Sequence, residues 1–155
     1  MGTEIERKFL VRDDSWRAHA DSGTPFRQGY LLGGERASVR VRREGERALL
    51  NIKSATLGIR RLEFEYAIPL ADAEELLTHL CQQPLIEKTR YLVEHAGNRW
   101  EIDVFGGDNA GLIVAEIELY DEAQAFMHPT WLGEEVSHDP RYYNVSLVSH
   151  PYKDW

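Results

Sequence analysis

The sequence predicts a mainly β (α+β) fold, a closed eight-stranded antiparallel β-barrel whose tunnel has a charged interior and a few covering helices. Three observations lead there. Apolar and polar residues alternate with period 2 over most of the 155 residues, the signature of strands. The alternating runs are joined by short turns, as hairpins between neighbouring antiparallel strands require. Charges of both signs gather on one face of nearly every run, while only one good amphipathic helix is available to cover the apolar faces.

Strands are expected at 3–11, 26–32, 37–44, 47–54, 60–69, 86–95, 98–106 and 112–120. In the first, Glu4, Glu6 and Lys8 share one parity, and Ile5 and Phe9 hold the other, with Arg7 the exception. A turn over 21–25 precedes the second strand, whose parity carries no charge pair. Gly33-Gly34 leads into the third, where Arg40 and Arg42 oppose Val39 and Val41. After Glu44-Gly45-Glu46 the fourth sets Lys53 against Ile52. The fifth sets Arg61, Glu63 and Glu65 against Leu62, Phe64 and Tyr66. A helix follows: Asp72 is a candidate cap with Glu75 three residues on, Ala73, Leu76, Leu77, Leu80 and Cys81 form a stripe, and Pro84 stops it. The sixth strand opposes Lys88 and Arg90 to Thr89 and Tyr91. Beyond Ala96-Gly97-Asn98 the seventh opposes Glu101 and Asp103 to Ile102 and Val104. Gly106-Gly107-Asp108-Asn109 turns into the eighth, with Glu116 and Glu118 against Ile117 and Leu119. Short helices are expected over 121–127 and 142–149. No repeat, linker or low-complexity tract interrupts the chain, so one domain over 1–155 is expected.

For any single strand, a solvated outer face is the ordinary reading of such charges. Seven of the eight strands repeat the pattern, however, and few Ser, Thr, Gln or Asn share the charged face. A barrel with that face inward accounts for both facts, since eight strands suffice to close one. Two carboxylates ~5 Å apart at an effective dielectric of ~20 repel by roughly 3 kcal/mol. Glu4, Glu6, Glu63, Glu65, Glu101, Asp103, Glu116 and Glu118 therefore need Lys8, Arg40, Arg42, Lys53, Arg61, Lys88 and Arg90 beside them. Carboxylate pairs bind hard divalent cations, and Arg and Lys rows bind phosphate oxygens. The expected guest is a metal-bridged polyphosphate.

Composition limits the alternatives. A net charge of −8 disfavours nucleic acid and anionic membranes as partners. The single cysteine, Cys81, excludes an internal disulfide and reads as a buried thiol. No apolar run approaches the ~20 residues of a membrane helix, and no basic-then-apolar leader is visible, so a cytoplasmic location is expected. His19, His79, His95, His128, His138 and His150 lack ligand spacing, and the glycine pairs lack a P-loop context. Trp16, Trp100, Trp131 and Trp155 are expected to pack on the barrel exterior. The outward parity of Phe64, Tyr66, Ile102 and Val104 hints at a homodimer.

Glu4-Ile5-Glu6-Arg7-Lys8 resembles the Glu-x-Glu-x-Lys motif of the CYTH superfamily, the triphosphate tunnel metalloenzymes. Further motifs follow in the family's order: Val-Arg-Val-Arg at 39–42, Ile-Lys at 52–53, Glu-x-Glu at 63–65, Glu-Lys-Thr-Arg-Tyr at 87–91, Glu-Ile-Asp at 101–103 and Glu-Ile-Glu at 116–118. The segments Arg27-Gln28-Gly29-Tyr30-Leu31 and Trp131-Leu132-Gly133-Glu134-Glu135-Val136 look like the short bacterial inorganic triphosphatase-like members. The resemblance implies an eight-stranded tunnel in which Glu4, Glu6, Asp103, Glu116 and Glu118 hold Mg²⁺ or Mn²⁺. Lys8, Arg40, Arg42, Lys53, Arg61, Lys88 and Arg90 would grip phosphates, and Glu63, Glu65 and Glu101 would form a secondary acidic set. Glu4, Glu6, Lys8 and Lys88 are the catalytic candidates. The implied reaction is metal-assisted hydrolysis of inorganic triphosphate to diphosphate and phosphate, with charge on the leaving group held by fixed cations. Adenylate cyclases, thiamine triphosphatases and RNA triphosphatases share the superfamily, and a non-catalytic polyphosphate sensor is a further alternative. One departure stands out: relatives often bring a basic residue into the tunnel from a C-terminal helix, whereas 142–149 contains no Lys or Arg and is only flanked by Arg141 and Lys153.

Overall fold

A computed structural model describes residues 2–56 and 58–155. Its strands are β1 (Thr3–Val11), β2 (Thr24–Gly33), β3 (Ala37–Glu44), β4 (Arg47–Ser54), β5 (Arg60–Ala67), β6 (Ile86–His95), β7 (Asn98–Phe105), β8 (Ile113–Glu118) and β9 (Leu132–Glu135). They order as β5-β4-β3-β2-β6-β7-β8-β1-β9, and a β5–β1 pairing closes the first eight into a ring. Every pairing is antiparallel. The eight-stranded closed barrel expected from the alternation is therefore present.

β9 was not among the expected strands. β1 pairs with β5 only through Thr3, Glu4 and Ile5. Its far half is left for β9, which pairs at Phe9 and Val11. Gly133 permits that approach, because a Cβ there would lie 2.9 Å from the Leu10 carbonyl oxygen. A four-residue run containing glycine has too little alternation to show as a strand in sequence.

The outward apolar faces are covered in two places, and a third apolar cluster, on the inward faces, plugs one end of the lumen. Trp16, Trp100, Trp131, Phe9, Ile102 and Ile117 pack over β1, β6, β7 and β8. Helix α1 (Leu70–His79) lays Ala73 and Leu77 against Val41 and Ala48, with Cys81 buried beside them. Helix α2 (Asn144–Ser149) packs Leu147 and Val148 on Tyr30, Ile86, Phe105 and Val114, closing one end of the barrel. Of the four tryptophans only Trp155 keeps substantial exposure.

Three expectations need correction. Helix α1 starts at Leu70 behind Pro69, so Asp72 lies in its first turn rather than capping it; there it complements the positive end of the helix dipole. No helix forms over 121–127. The Asp121 carboxylate accepts from the Ala123 amide, and the Gln124 side chain accepts from the Tyr120 amide. These local bonds compete with helix formation, and Phe126 is drawn onto Phe9 and Trp100. Finally, Ile102 is fully buried under the chain's own covering segments and offers no interface, while Val104 is half-buried. Leu62, Phe64 and Tyr66 on β5 stay exposed. Among the described residues, no helix is long and apolar enough to cross a membrane.

Candidate active site

Going round the ring, β7, β8 and β1 face β4, β3 and β2 across the lumen. Alternation on these strands sends Glu101, Glu116, Glu118, Glu4 and Glu6 inward from the first arc and Lys53, Arg40 and Arg42 inward from the second. The cavity they line has about 780 Å³ of atom-free space, its open mouth included. All seven basic residues expected there line it, with seven of the eight expected acids. The eighth, Asp103, lies behind the lining, fully buried. Its carboxylate accepts from Lys88 at 2.8 Å and from Arg90 at 2.8 and 2.9 Å. Both oxygens are thus engaged from below.

The acidic arc brings three carboxylates together. Oxygens of Glu6, Glu101 and Glu116 lie within 4.8 Å of one another. The register explains this, since Glu116 pairs laterally with Glu101 on β7 and with Lys8 on β1, next to Glu6. Burial, then the neighbouring Glu116 and Glu4, push the Glu6 carboxyl well above its ordinary range. Burial opposes ionisation of Glu116 too, but Lys8, Arg90 and Lys88 outweigh it and hold that carboxyl well below. Glu101 is raised by burial, against the pull of Arg90. Glu118, at the more open end, is raised by burial and by Glu63 and Glu65.

A second pair works as a unit. Burial and a hydrogen bond to Glu63 push Glu4 up to about 7, with Lys53 opposing. Burial acts against Glu63 as well, yet that bond and Lys53 hold it at about 2. Between those values the pair keeps one proton and one negative charge. Lys53 sits 3.3 Å from Glu4 and 3.2 Å from Glu63. Seven cations face seven carboxyls across the lumen, and the carboxyls of Glu4 and Glu6 are raised toward their neutral forms.

Arg40 is buried, forms no ion pair among the described residues, and its Nε has no hydrogen-bond partner. Burial opposes its charge, but Tyr30 and Glu63 favour it and its pKa is raised. Arg42 is 3.0 Å from Glu44 and 3.1 Å from Glu65, and Arg61 is 3.9 Å from Glu4. Lys8 lies 3.7 Å from Glu116 and donates to the Tyr142 carbonyl at 3.2 Å. Burial lowers Lys88 to about 8 despite Asp103. A buried guanidinium with an open Nε donor and no carboxylate against it is suited to receive an incoming anion.

Sequence reasoning missed the neutral lining. Tyr30 and Ser38 share the inward parity of Arg40 and line the cavity, and Asn51 donates to Glu63 at 3.3 Å and to Glu65 at 2.9 Å. Their strand parity was the available signal, but attention to charge passed over it. Tyr143 and Asn144 arrive from the C-terminal segment, with Asn144 accepting from Gln28 at 2.7 Å and Lys88 at 3.1 Å. Arg141 and Lys153 stay outside, paired with Asp139 at 2.7 Å and Asp108 at 3.2 Å. The closing segment therefore presents an amide and a phenol to the lumen instead of a cation.

Comparison with known proteins finds relatives over nearly the whole chain. The CYTH domain family matches residues 2–152. An inorganic triphosphatase of Acetivibrio thermocellus is 48% identical over 155 residues, covering 100% of this chain and 99% of that protein. One from Nitrosomonas europaea is 39% identical over 151 residues, 94% of this chain and 97% of the relative. The crystal structure of the inorganic triphosphatase NE1496 superposes with a TM-score of 0.66 at 37% identity, covering 96% of this chain and 95% of that one.

Proposed function

The chain belongs to the CYTH domain family, and we propose that it is a divalent-metal-dependent hydrolase that splits inorganic triphosphate into diphosphate and phosphate within the barrel. The observation that carries this reading is the clustered Glu6, Glu101 and Glu116 facing Arg40, which has no ion pair among the described residues, across one lumen. Among the described residues, the lining holds only Tyr30, Tyr143 and Val145 as large apolar surface, scattered among charges. No slot for a nucleobase is built from them, which favours the inorganic substrate over nucleoside triphosphates and over cyclase chemistry.

The donor set fits a small hard cation, since Mg²⁺ and Mn²⁺ take carboxylate oxygens and share the rest of their shell with phosphate and water. Glu6, Glu101 and Glu116 would hold it, with Glu4 and Glu118 flanking. Asp103 we assign to holding Lys88 and Arg90, because both of its oxygens already accept from them. Bound there, the ion would neutralise phosphate oxygens and activate water.

The protein groups do the remaining work. Arg40, Arg42 and Arg90 grip successive phosphate oxygens and align the chain along the lumen, with Lys53 and Arg61 beside them. Water adds to a terminal phosphorus, the bridging P–O bond breaks, and diphosphate leaves. The negative charge gathering on the leaving oxygens falls among fixed cations that need no reorganisation, which is the main source of stabilisation in phosphoryl transfer. Lys8 and Lys88, each buried beside a carboxylate, place further positive charge at the reacting end.

Phosphate release from inorganic triphosphate, ATP and thiamine triphosphate, with Mg²⁺, Mn²⁺ or EDTA, tests the proposal on wild type and Glu4→Ala. Metal-dependent release favouring inorganic triphosphate, lost in the variant, is expected. Tight metal-independent binding without turnover would instead make the protein a polyphosphate sensor, and cyclic AMP from ATP would make it a cyclase.

A further inference from the structure

β2 is the one barrel strand that sends no charge into the lumen, yet it lies between β3 and β6, which supply Arg40, Arg42, Lys88 and Arg90. Phe26 stands at the inward position of β2 where those two strands meet it. It pairs laterally with Lys88 on β6 and with Glu44 on β3, so Arg90 and Arg42 are its diagonal neighbours on the same face. The ring centroid is 4.8 Å from the Arg90 guanidinium carbon, 5.3 Å from that of Arg42 and 5.8 Å from Lys88 Nζ. All three lie within the ~6 Å reach of a cation–π contact. Phe26 itself is buried and does not line the cavity, so substrate would meet the cations and not the ring.

We propose that Phe26 is a positioning residue: an aromatic platform that holds Arg42, Arg90 and Lys88 against their mutual repulsion and aims them at the phosphate chain. Glu44 and Glu65 already hold Arg42, and Asp103 holds Lys88 and Arg90, so the ring lies at the point the three paired cations share. There the electron-rich ring adds attraction to each cation without adding the negative charge of a further carboxylate. A carboxylate at position 26 would order the same cations but cancel part of the charge that the substrate needs. The proposal rests on the triphosphate reading above.

Progressive fluorination separates this role from simple packing, because it drains the ring's quadrupole with little change in its volume. Phenylalanine carrying one, two, three or five fluorines would be placed at position 26, alongside Phe26→Leu. Affinity for inorganic triphosphate would be measured by calorimetry in EDTA, with KM and kcat measured in Mg²⁺. The dissociation constant is expected to rise stepwise with fluorine number, by about tenfold across the series, as loss of cation–π contacts at a desolvated site implies. KM should rise more than kcat falls, while thermal stability should fall only slightly, in step with fluorine number. Equal affinity across the series would overturn the platform and leave Phe26 as packing, with the hydrolase reading intact. Failure of the wild type itself to bind triphosphate would overturn both.

Discussion

Replacing Glu6 by glutamine should stabilise the metal-free protein and abolish its metal-dependent turnover. The oxygens of Glu6, Glu101 and Glu116 lie within 4.8 Å of one another. At an effective dielectric of ~20, two unit charges at that separation repel by roughly 3.5 kcal/mol. Lys8, 3.7 Å from Glu116, offsets part of this. The folded protein avoids more of it by keeping a proton on Glu6, whose carboxyl is raised well above its ordinary 4.5. The sign of the pH dependence follows. Between the unfolded pKa and the raised folded one, the folded state binds more protons, so stability falls as pH rises through that window. Glutamine has no such slope. The gain from Glu6→Gln should be absent below about 4.5 and grow toward pH 8. There it should reach about 1–3 kcal/mol, at ~2–4 °C of Tm per kcal/mol for a chain of this size. Thermal unfolding in EDTA at pH 5 and pH 8 measures it. Adding Mn²⁺ at pH 8 should then raise the wild-type Tm and leave the variant nearly unmoved, since only the triad stabilises by binding. A variant less stable than wild type at pH 8, or one that keeps full metal-dependent phosphate release, would refute the placing of Glu6 in a strained metal site.

Three other substitutions probe the remaining parts. Asp103→Asn strips Lys88 and Arg90 of their shared buried anion and should destabilise by about 3–5 kcal/mol, read by urea unfolding. It is the opposite sign to Glu6→Gln although both remove one inward acid. Arg40→Ala removes a buried cation without an ion pair. The Tm should stay within ~2 °C of wild type or rise, while KM for triphosphate climbs about 10- to 100-fold with the lost charge-assisted bonds. Trp100→Ala empties the exterior cluster beneath Phe9, Phe126 and Trp131 and should cost about 3–5 kcal/mol, with kcat at low temperature unchanged.

Strand parity made the barrel and its lining readable in the sequence, because period 2 fixes which face each residue occupies once one neighbour is placed. Glu4, Arg40, Lys53 and Glu116 could be placed in the lumen from that alone. Parity says nothing of depth, however. Asp103 and Glu101 share a face of β7, yet the first is sealed beneath Lys88 and Arg90 while the second reaches the cavity. That difference comes from barrel curvature and from which cation folds over which acid, and neither is local to the sequence. The Asp121–Phe126 segment was misread for a related reason. Its composition suits a helix, but Asp121 and Gln124 take local amide bonds instead, and Phe126 packs edge-on against Phe9 and Trp100. Tyr143 and Asn144 gave no signal because their approach to the lumen depends on where α2 docks.

The inverted arrangement also explains why so small a protein has so much of its apolar surface outside the barrel. A lumen of crowded carboxyls, several with raised pKa, contributes little to stability, so stability has to come from elsewhere. It comes from Trp16, Trp100 and Trp131 over one side, α1 over another, and α2 across one end, none of which contributes a charge to the lumen. Asn144 is the only side chain of α2 that joins the charged network, and it does so through an amide that accepts from Lys88 and Gln28 without adding charge. The separation predicts how substitutions distribute. Changes on the outer clusters should lower stability and leave kinetics alone, whereas changes to lumen charges should alter kinetics while shifting stability in either direction. Asp103 is the exception, because its carboxylate belongs to the structural layer even though its strand parity belongs to the lumen.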